Sequence, residues 1–135
     1  MKKQLFFAIL LTIMISCGNS GQKENNNRIS KDVIEAAQAV NAMCPYILDS
    51  ETRLDCAIPL PNNTLQYNYT MVNYTKELLD TVVFKAAMEP QILNNVRTNP
   101  QMEYQRQNKW TLNYFYLDKD GNYICSIIAT PEKYK

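Results

Sequence analysis

Four residues in a short polar stretch have the types and spacing to do chemistry: Asp49, Thr52, Arg53 and Asp55. Two carboxylates that flank a substrate can share general acid–base work, and an arginine between them can pair with a carboxylate or bind an anion. Arg53 and Asp55 are two positions apart, so on a strand they point to the same face. We therefore expect a strand-face ion pair, a recognition patch for a ligand or partner protein, or the carboxylates of a hydrolase.

Other catalytic chemistry has few residues to work with. The chain contains no histidine, which excludes Ser-His-Asp and Cys-His nucleophile systems within it and removes the commonest metal ligand. It has only three glycines and no Gly-rich phosphate loop. Cys44, Cys56 and Cys125 form no Cys-x-x-Cys pair of the kind that binds zinc. We therefore predict no catalytic residue, no metal site and no cofactor.

The N-terminal residues have the three parts of an export signal. Lys2 and Lys3 precede an apolar run over residues 5–15, which is too short to span a bilayer because about 20 residues are needed. The run ends at Met14-Ile15-Ser16-Cys17, which resembles the lipobox of bacterial lipoproteins. That resemblance implies cleavage before Cys17, with diacylglycerol on its sulfur and a palmitate-type acyl chain on its nitrogen. An ordinary cleaved signal with an unmodified cysteine is the alternative.

The expected organisation is a signal peptide over residues 1–16, a lipidated cysteine and flexible tether over 17–29, and a single domain over 30–135. The tether has almost no apolar side chain and is rich in Gly, Ser and Asn. Its Gln22-Lys23-Glu24 run resembles the charged surface-export signals of some lipoproteins of the Bacteroidota. We expect an envelope protein held at the outer membrane by its lipid, on either the periplasmic or the surface side.

The charges of the chain exclude one class of partner. With 14 basic and 13 acidic residues, the protein has no basic field that would collect nucleic acid. The remaining partners are the membrane, through the N-terminal lipid, and an unknown protein or small ligand.

Hydrophobic periodicity predicts an α+β domain. Apolar residues at helical spacing follow Ser30 and Thr75, and alternating segments near residues 53–59, 65–71, 110–117 and 122–130 indicate strands. Asp120-Gly121 between the last two segments is a strong hairpin signal. The order α-β-β-α-β-β favours a four- or five-stranded antiparallel sheet with helices on one face, in a cystatin-like or secretion-chaperone-like layout.

Strand alternation also assigns the two faces of this sheet. The helix-covered face should carry large aromatics as core, together with two cysteines, and the open face should be polar. The first set is Leu54, Cys56, Tyr67, Tyr69, Leu112, Tyr114, Tyr116, Cys125 and Ile127; the second is Arg53, Asp55, Gln66, Asn68, Thr70, Thr111, Asn113 and Phe115. An apolar stripe of the second helix should pack on the first face: Leu78, Leu79, Val82, Val83 and Ala86.

The cysteines allow at most one internal disulfide if Cys17 is lipidated, because three thiols then remain. Cys56 with Cys125 is the favoured pair, since both are assigned to the core face. Cys44, at the end of the first helix, competes for either partner. A fully reduced set of three thiols is the other alternative.

One set of motifs resembles a known group of proteins. Cys44-Pro45, then Asp49-Ser50-Glu51-Thr52-Arg53-Leu54-Asp55, then Tyr67-Asn68-Tyr69-Thr70 resemble a family of small uncharacterised exported bacterial proteins with a D-x-x-T-R-L-D … Y-x-Y-T motif. The resemblance covers about residues 44–128 and carries no mechanism. The function we expect is a membrane-anchored, non-enzymatic binding domain of the envelope. An inhibitor or immunity protein, and a hydrolase using Asp49 or Asp55, are the alternatives.

Overall fold

A computed structural model describes residues 27–135 of the chain. The predicted signal peptide and Cys17 lie outside the described residues. The helices are α1 (Lys31–Asn41), α2 (Thr81–Thr98), α3 (Glu103–Gln107) and α4 (Pro131–Tyr134), with short 3-10 turns at Lys76–Leu78 and Pro100–Met102. The strands are β1 (Tyr46–Ile47), β2 (Thr52–Leu60), β3 (Thr64–Met71), β4 (Thr111–Leu117) and β5 (Tyr123–Ala129). The predicted α+β class and element order are confirmed.

The five strands form one sheet in the order β1-β2-β3-β4-β5. Three neighbouring pairs are antiparallel, as predicted, but β3 and β4 in the centre are parallel. The physical reason is the connection between them: the chain leaves the end of β3, returns through α2, and enters β4 in the same direction. The sheet is therefore a three-stranded antiparallel unit, β1 to β3, joined by a helical crossover to the antiparallel hairpin of β4 and β5.

The helix-covered face is built largely from tyrosines, as the alternation predicts. Tyr69 and Tyr116 stack at a centroid distance of 5.2 Å, and Tyr67 lies 5.5 Å from Tyr114. All four are buried, and Phe84 of α2 meets Tyr116 edge to face at 5.1 Å. Helix α1 packs on β2 and β3, and α2 packs on β5, on this same face. Large rings thus fill the space between the two helices and the sheet.

The predicted facing of one core residue, Cys56, is wrong. A β-bulge between Leu54 and Cys56 shifts the register, so that Ala57 lies opposite Tyr67 and Cys56 lies opposite Asn68. Ala57 is buried on the helix side, and Cys56 joins the polar face. Strict alternation failed here because a bulge adds one residue to one strand and reverses the facing of the residues after it relative to those before it.

The apolar stripe predicted for the second helix is also wrong in most of its members. The residues that α2 buries are Ile92 and Val96, in its second half. Leu78, Val82, Val83 and Ala86 are exposed, and of the predicted stripe only Leu79 packs partly against the core. The helix begins at Thr81 rather than after Thr75, and it continues through Pro90 to Thr98. In its first turn, Val82 and Val83 therefore face solvent, while Phe84 packs on the sheet.

Candidate functional site

An apolar groove of about 340 Å³ opens where the β1–β2 turn meets the start of α2. Its floor comes from the end of β3 and from α2, and two acidic side chains lie on its rim. Its lining residues are Glu51, Met71, Tyr74, Leu78, Leu79, Asp80, Val83 and Phe84. Leu78 is 74% exposed and Val83 is 63% exposed, so the groove presents aliphatic side chains to solvent without a partner among the described residues.

The first wall of the groove is formed by Glu51, in the β1–β2 turn that follows the predicted Asp49 and precedes Thr52. The Asp49 Oδ1 accepts hydrogen bonds from the backbone N–H groups of Glu51 at 2.7 Å and Thr52 at 2.9 Å. The Asn73 Nδ2 donates to the carbonyl oxygen of Ser50 at 2.9 Å and to Glu51 Oε2 at 3.0 Å. The Asp49 carboxylate thus shapes the turn, and Asn73 holds Glu51 at the rim.

The second wall is the start of α2 and the 3-10 turn before it. Asp80 is the N-cap of α2, and its Oδ1 accepts from the backbone N–H groups of Val82 at 3.0 Å and Val83 at 3.1 Å. The backbone N–H of Lys76 donates to the Asp118 Oδ2 at 3.0 Å, which fixes the 3-10 turn to the β4–β5 loop. Each wall is therefore held by a carboxylate that accepts hydrogen bonds from backbone N–H groups.

Asp118 is a residue that the sequence reasoning missed. It lies in the β4–β5 loop with no side-chain exposure to solvent. Its Oδ1 accepts from the backbone N–H of Asp120 at 2.9 Å and of Asn122 at 2.8 Å, and its Oδ2 accepts from Asn122 Nδ2 at 3.1 Å. The Asp-Gly hairpin signal was present in the sequence, but no local pattern showed that the preceding aspartate would reach Lys76.

The four residues of the predicted patch do not come together. Asp49 and Thr52 lie next to Glu51, beside the groove but not among its lining residues, and the Thr52 Oγ1 lies 3.9 Å from the Met71 sulfur. Arg53 and Asp55 lie on the open face of the sheet, where the Arg53 Nε donates to Asp55 Oδ1 and the Thr70 Oγ1 donates to Asp55 Oδ2, both at 2.5 Å. Asp49 and Asp55 thus shape a turn and a strand face respectively. Ligand binding by Arg53 and Asp55 stays a prediction.

The disulfide predicted between Cys56 and Cys125 is not formed. Cys44, Cys56 and Cys125 are free thiols. Cys56 is on β2 and Cys125 is on β5, with β3 and β4 between them, whereas a disulfide needs Cα atoms about 4.4–6.8 Å apart. The bulge also turns Cys56 to the open face, while Cys125 is buried on the helix side. Strand order and facing both oppose this pair.

Two further properties bear on the kind of site this is. Within residues 27–135, no group of three or more Cys, Asp or Glu side chains is placed to hold a metal ion. None of the helices in this range combines the length and the apolar character needed to cross a membrane.

Three solved structures share this fold. A crystal structure of a candidate secreted protein from Pseudomonas aeruginosa has a TM-score of 0.67 at 12% identity, covering 78% of this chain and 92% of that one. A pilotin from the Vibrio vulnificus type 2 secretion system has a TM-score of 0.61 at 10% identity, covering 77% and 89%. A type II secretion system pilotin from Vibrio cholerae has a TM-score of 0.55 at 11% identity, covering 75% and 87%. The secretion-chaperone-like layout is thereby favoured over the cystatin-like one.

Sequence comparison places the chain in a family. No curated protein matches it by sequence. A family model described as "Domain of unknown function (DUF8479)" matches residues 27–125, which is most of the chain and begins where the described structure begins. The chain therefore belongs to the DUF8479 family.

Proposed function

We propose that this protein is a non-enzymatic domain of the bacterial cell envelope that binds a partner protein in the apolar groove. The observation that carries the proposal is the exposure of Leu78 and Val83 at a groove whose walls are otherwise held by hydrogen bonds. Exposed apolar patches with a polar rim are typical of protein interaction sites. The groove is preformed, so a partner loses little free energy in ordering it.

The chemistry of the groove defines the partner. Its floor accepts bulky aliphatic or aromatic side chains, because Met71, Leu79 and Phe84 offer only apolar atoms there. Its two charged lining residues, Glu51 and Asp80, are both acidic. A protein segment with aliphatic side chains next to a lysine or arginine complements both features. A short amphipathic helix or an extended segment of this composition is the expected occupant.

The fold supports an envelope role. Two of the solved structures that share it are pilotins of type 2 secretion systems, and a third is a candidate secreted protein. These similarities favour a role beside a protein-export assembly over a role in metabolism. Under this proposal the domain acts by holding or delivering its partner rather than by transforming a substrate.

The N-terminal sequence supplies the attachment. Cleavage before Cys17 and lipidation of that residue would tie the domain to the membrane through the polar tether. Replacement Cys17→Ser should move the protein from the membrane fraction to the soluble fraction and abolish labelling by a clickable palmitate analogue. Unchanged labelling of the Cys17→Ser protein would show that the lipid is elsewhere or that the label is not specific.

The groove is tested with two neighbouring valines. Val82 and Val83 have the same side chain and lie in the first turn of α2, and both are strongly exposed, but only Val83 lines the groove. A photo-crosslinking amino acid placed at position 83 in cells should form a protein adduct that mass spectrometry identifies. The same amino acid at position 82 should form little or none of it.

The identified segment then provides a binding assay with purified components. A synthetic peptide of that segment should bind the purified protein, and Val83→Lys should weaken binding by at least about tenfold because it places a charge against apolar and basic groups. Val82→Lys should change affinity by less than about twofold. Equal crosslinking at both positions, or equal effects of the two lysines, would reject the groove as the binding site.

A further inference from the structure

Cys44 and Cys56 lie at the outer edge of the sheet, away from the helix-covered centre. The end of α1 is fixed to β2 beside Cys56 by Asn41. The Asn41 Nδ2 donates to the carbonyl oxygen of Ala57 at 2.9 Å, and the Asn41 Oδ1 accepts from the Ala57 N–H at 2.6 Å. The helix therefore ends against the residue that follows Cys56.

The chain meets the same strand a second time immediately afterwards. In the β1–β2 pair, Tyr46 lies opposite Leu54 and Ile47 lies opposite Arg53. Cys44 is thus held between two attachment points to β2, one at Ala57 and one at Leu54. Cys56 lies between the same two points on β2, so the short segment that carries Cys44 passes beside Cys56.

The local structure leaves both thiols reachable. β1 contains only two residues, so no regular strand covers the edge of β2 at Cys56, and the bulge turns Cys56 out of the helix-covered core. Both side chains are half-buried free thiols, whereas Cys125 is buried. Burial raises the pKa of the Cys44 thiol, and negative charge on the nearby Cys56 and Asp55 raises it further.

We propose that Cys44 and Cys56 form an intramolecular disulfide in the exported protein, by exchange with a disulfide-bearing oxidant. One cysteine thiolate attacks the oxidant and forms a mixed disulfide, which releases one thiol. The second cysteine attacks the mixed disulfide, the S–S bond closes, and a second thiol leaves. Two cysteine thiols are thereby oxidised, and the oxidant is reduced to two thiols that take up the two protons.

The bond would fasten the end of α1 to the edge of β2. The segment between them includes the exposed apolar side chains of Met43, Tyr46, Ile47 and Leu48. A crosslink here closes a loop of about a dozen residues and restricts the unfolded chain, which raises stability. The proposal rests on the export part of the proposed function and is independent of the groove.

The test uses the processed full-length protein, purified from membranes in detergent and treated with oxidised glutathione under native conditions. Alkylation followed by peptide mapping should recover a peptide linked through Cys44 and Cys56, with Cys125 alkylated. The melting temperature should rise on the order of 5–10 °C on oxidation. Cys44→Ser should leave Cys56 without an intramolecular partner and abolish the rise, while Cys125→Ser, the matched control, should leave both the linked peptide and the rise unchanged.

Three outcomes would overturn the proposal: a bridge that contains Cys125, a bridge between two molecules, or full alkylation of all three thiols after the oxidant treatment. Partner binding in the groove can be measured separately in the same variants. Crosslinking from position 83 should be retained in the Cys44→Ser protein, so failure of the disulfide and failure of the groove are distinguishable.

Discussion

The Asp118 carboxylate is fully buried and still favours its charged form. Burial by itself raises the pKa of this group, but hydrogen bonds from the side chain and backbone of Asn122 and from the backbone of Lys76 and Asp120 lower it to about 2 from an ordinary value of 3.8. A carboxylate that accepts several N–H bonds loses them when it is protonated. This one side chain therefore links the β4–β5 loop to the 3-10 turn that lines the groove.

The depressed pKa of Asp118 predicts an acid-sensitive fold. The carboxyl of the unfolded chain takes up a proton near pH 3.8, and the folded one does so only near pH 2. The stabilisation is thus complete above about pH 4 and is lost as the pH falls towards 2. In Asp118→Asn, the urea midpoint should be lower than in the wild type at neutral pH and should fall less between pH 4 and 2.

Asp120 provides the matched control for that experiment. It is an exposed aspartate in the same loop, and its carboxylate contacts the Lys119 Nζ at 3.0 Å. Because exposed ion pairs contribute little, Asp120→Asn should leave the urea midpoint and its pH dependence close to those of the wild type. A parallel pH dependence in Asp118→Asn and the wild type would contradict the role given to Asp118.

At the scale of elements, α1 is attached to the sheet by a side chain as well as by its apolar face. Val33 and Ala37 are buried beneath the helix, and Asn41 forms two hydrogen bonds to the Ala57 backbone at its end. Because β1 pairs only with Arg53 and Leu54, the Ala57 backbone on this edge of β2 is free to bond a side chain rather than another strand. The same contact sets the position of Cys44 relative to β2.

Loss of the Asn41 contact should destabilise the protein measurably. Asn41→Ala removes the hydrogen-bond partners of the Ala57 N–H and of the Ala57 carbonyl oxygen. It should lower the free energy of unfolding by about 1 to 3 kcal/mol. Urea unfolding at neutral pH, followed by circular dichroism, measures the change.

Gln38→Ala on the same helix is the matched control, because Gln38 is exposed, and it should change stability by less than about 0.5 kcal/mol. If the two alanine variants were equally stable, the end of α1 would be held by its apolar contacts alone. The proposed disulfide between Cys44 and Cys56 would then have to form without the Asn41 hydrogen bonds holding the end of α1 against β2.

At the scale of the whole molecule, the four buried tyrosines of β3 and β4 join the two halves of the sheet, and Phe84 of α2 packs against Tyr116. Burial raises the pKa of Tyr67 from 10.0 to about 12. Burial also raises the pKa values of Tyr69 and Tyr114, and the charges of neighbouring tyrosines make a smaller contribution in the same direction. Burial likewise raises the pKa of Tyr116. A phenol is kept neutral in this environment because no water solvates its anion.

These raised pKa values predict cooperative unfolding in alkali. The unfolded chain loses tyrosine protons near pH 10, whereas folded Tyr67 holds its proton until about pH 12. The stabilisation is present below pH 10 and is lost as the pH rises through 12. The tyrosinate absorbance of the buried rings should therefore rise together with the loss of helical circular dichroism.

Two phenylalanine variants separate the core from the surface in that titration. Tyr67→Phe removes one buried phenol and should make stability fall less steeply above pH 10, whereas Tyr46→Phe, at an exposed position on β1, should not. A full tyrosinate signal with the helical signal intact would show that the four rings are not protected from water.

Much of the fold could be predicted from the sequence because it depends on local periodicity. The positions of β2 to β5 and the facing of Tyr67, Tyr69, Tyr114 and Tyr116 follow from alternation, and the last turn follows from Asp120-Gly121. The predicted facing failed at Cys56, where a bulge adds a residue. The predicted start of the second helix is wrong because Asp80, not Thr75, is its N-cap.

The sequence by itself determined the order of elements and the aromatic core, since each is written in the spacing of neighbouring residues. Only the tertiary structure decided the parallel pairing of β3 with β4, the burial of Asp118 and the exposure of Val83. It also separated Asp49 from Asp55 and Cys56 from Cys125, and brought Cys44 to the edge of β2. These outcomes depend on contacts between residues far apart in the chain, whose free energies no local pattern contains.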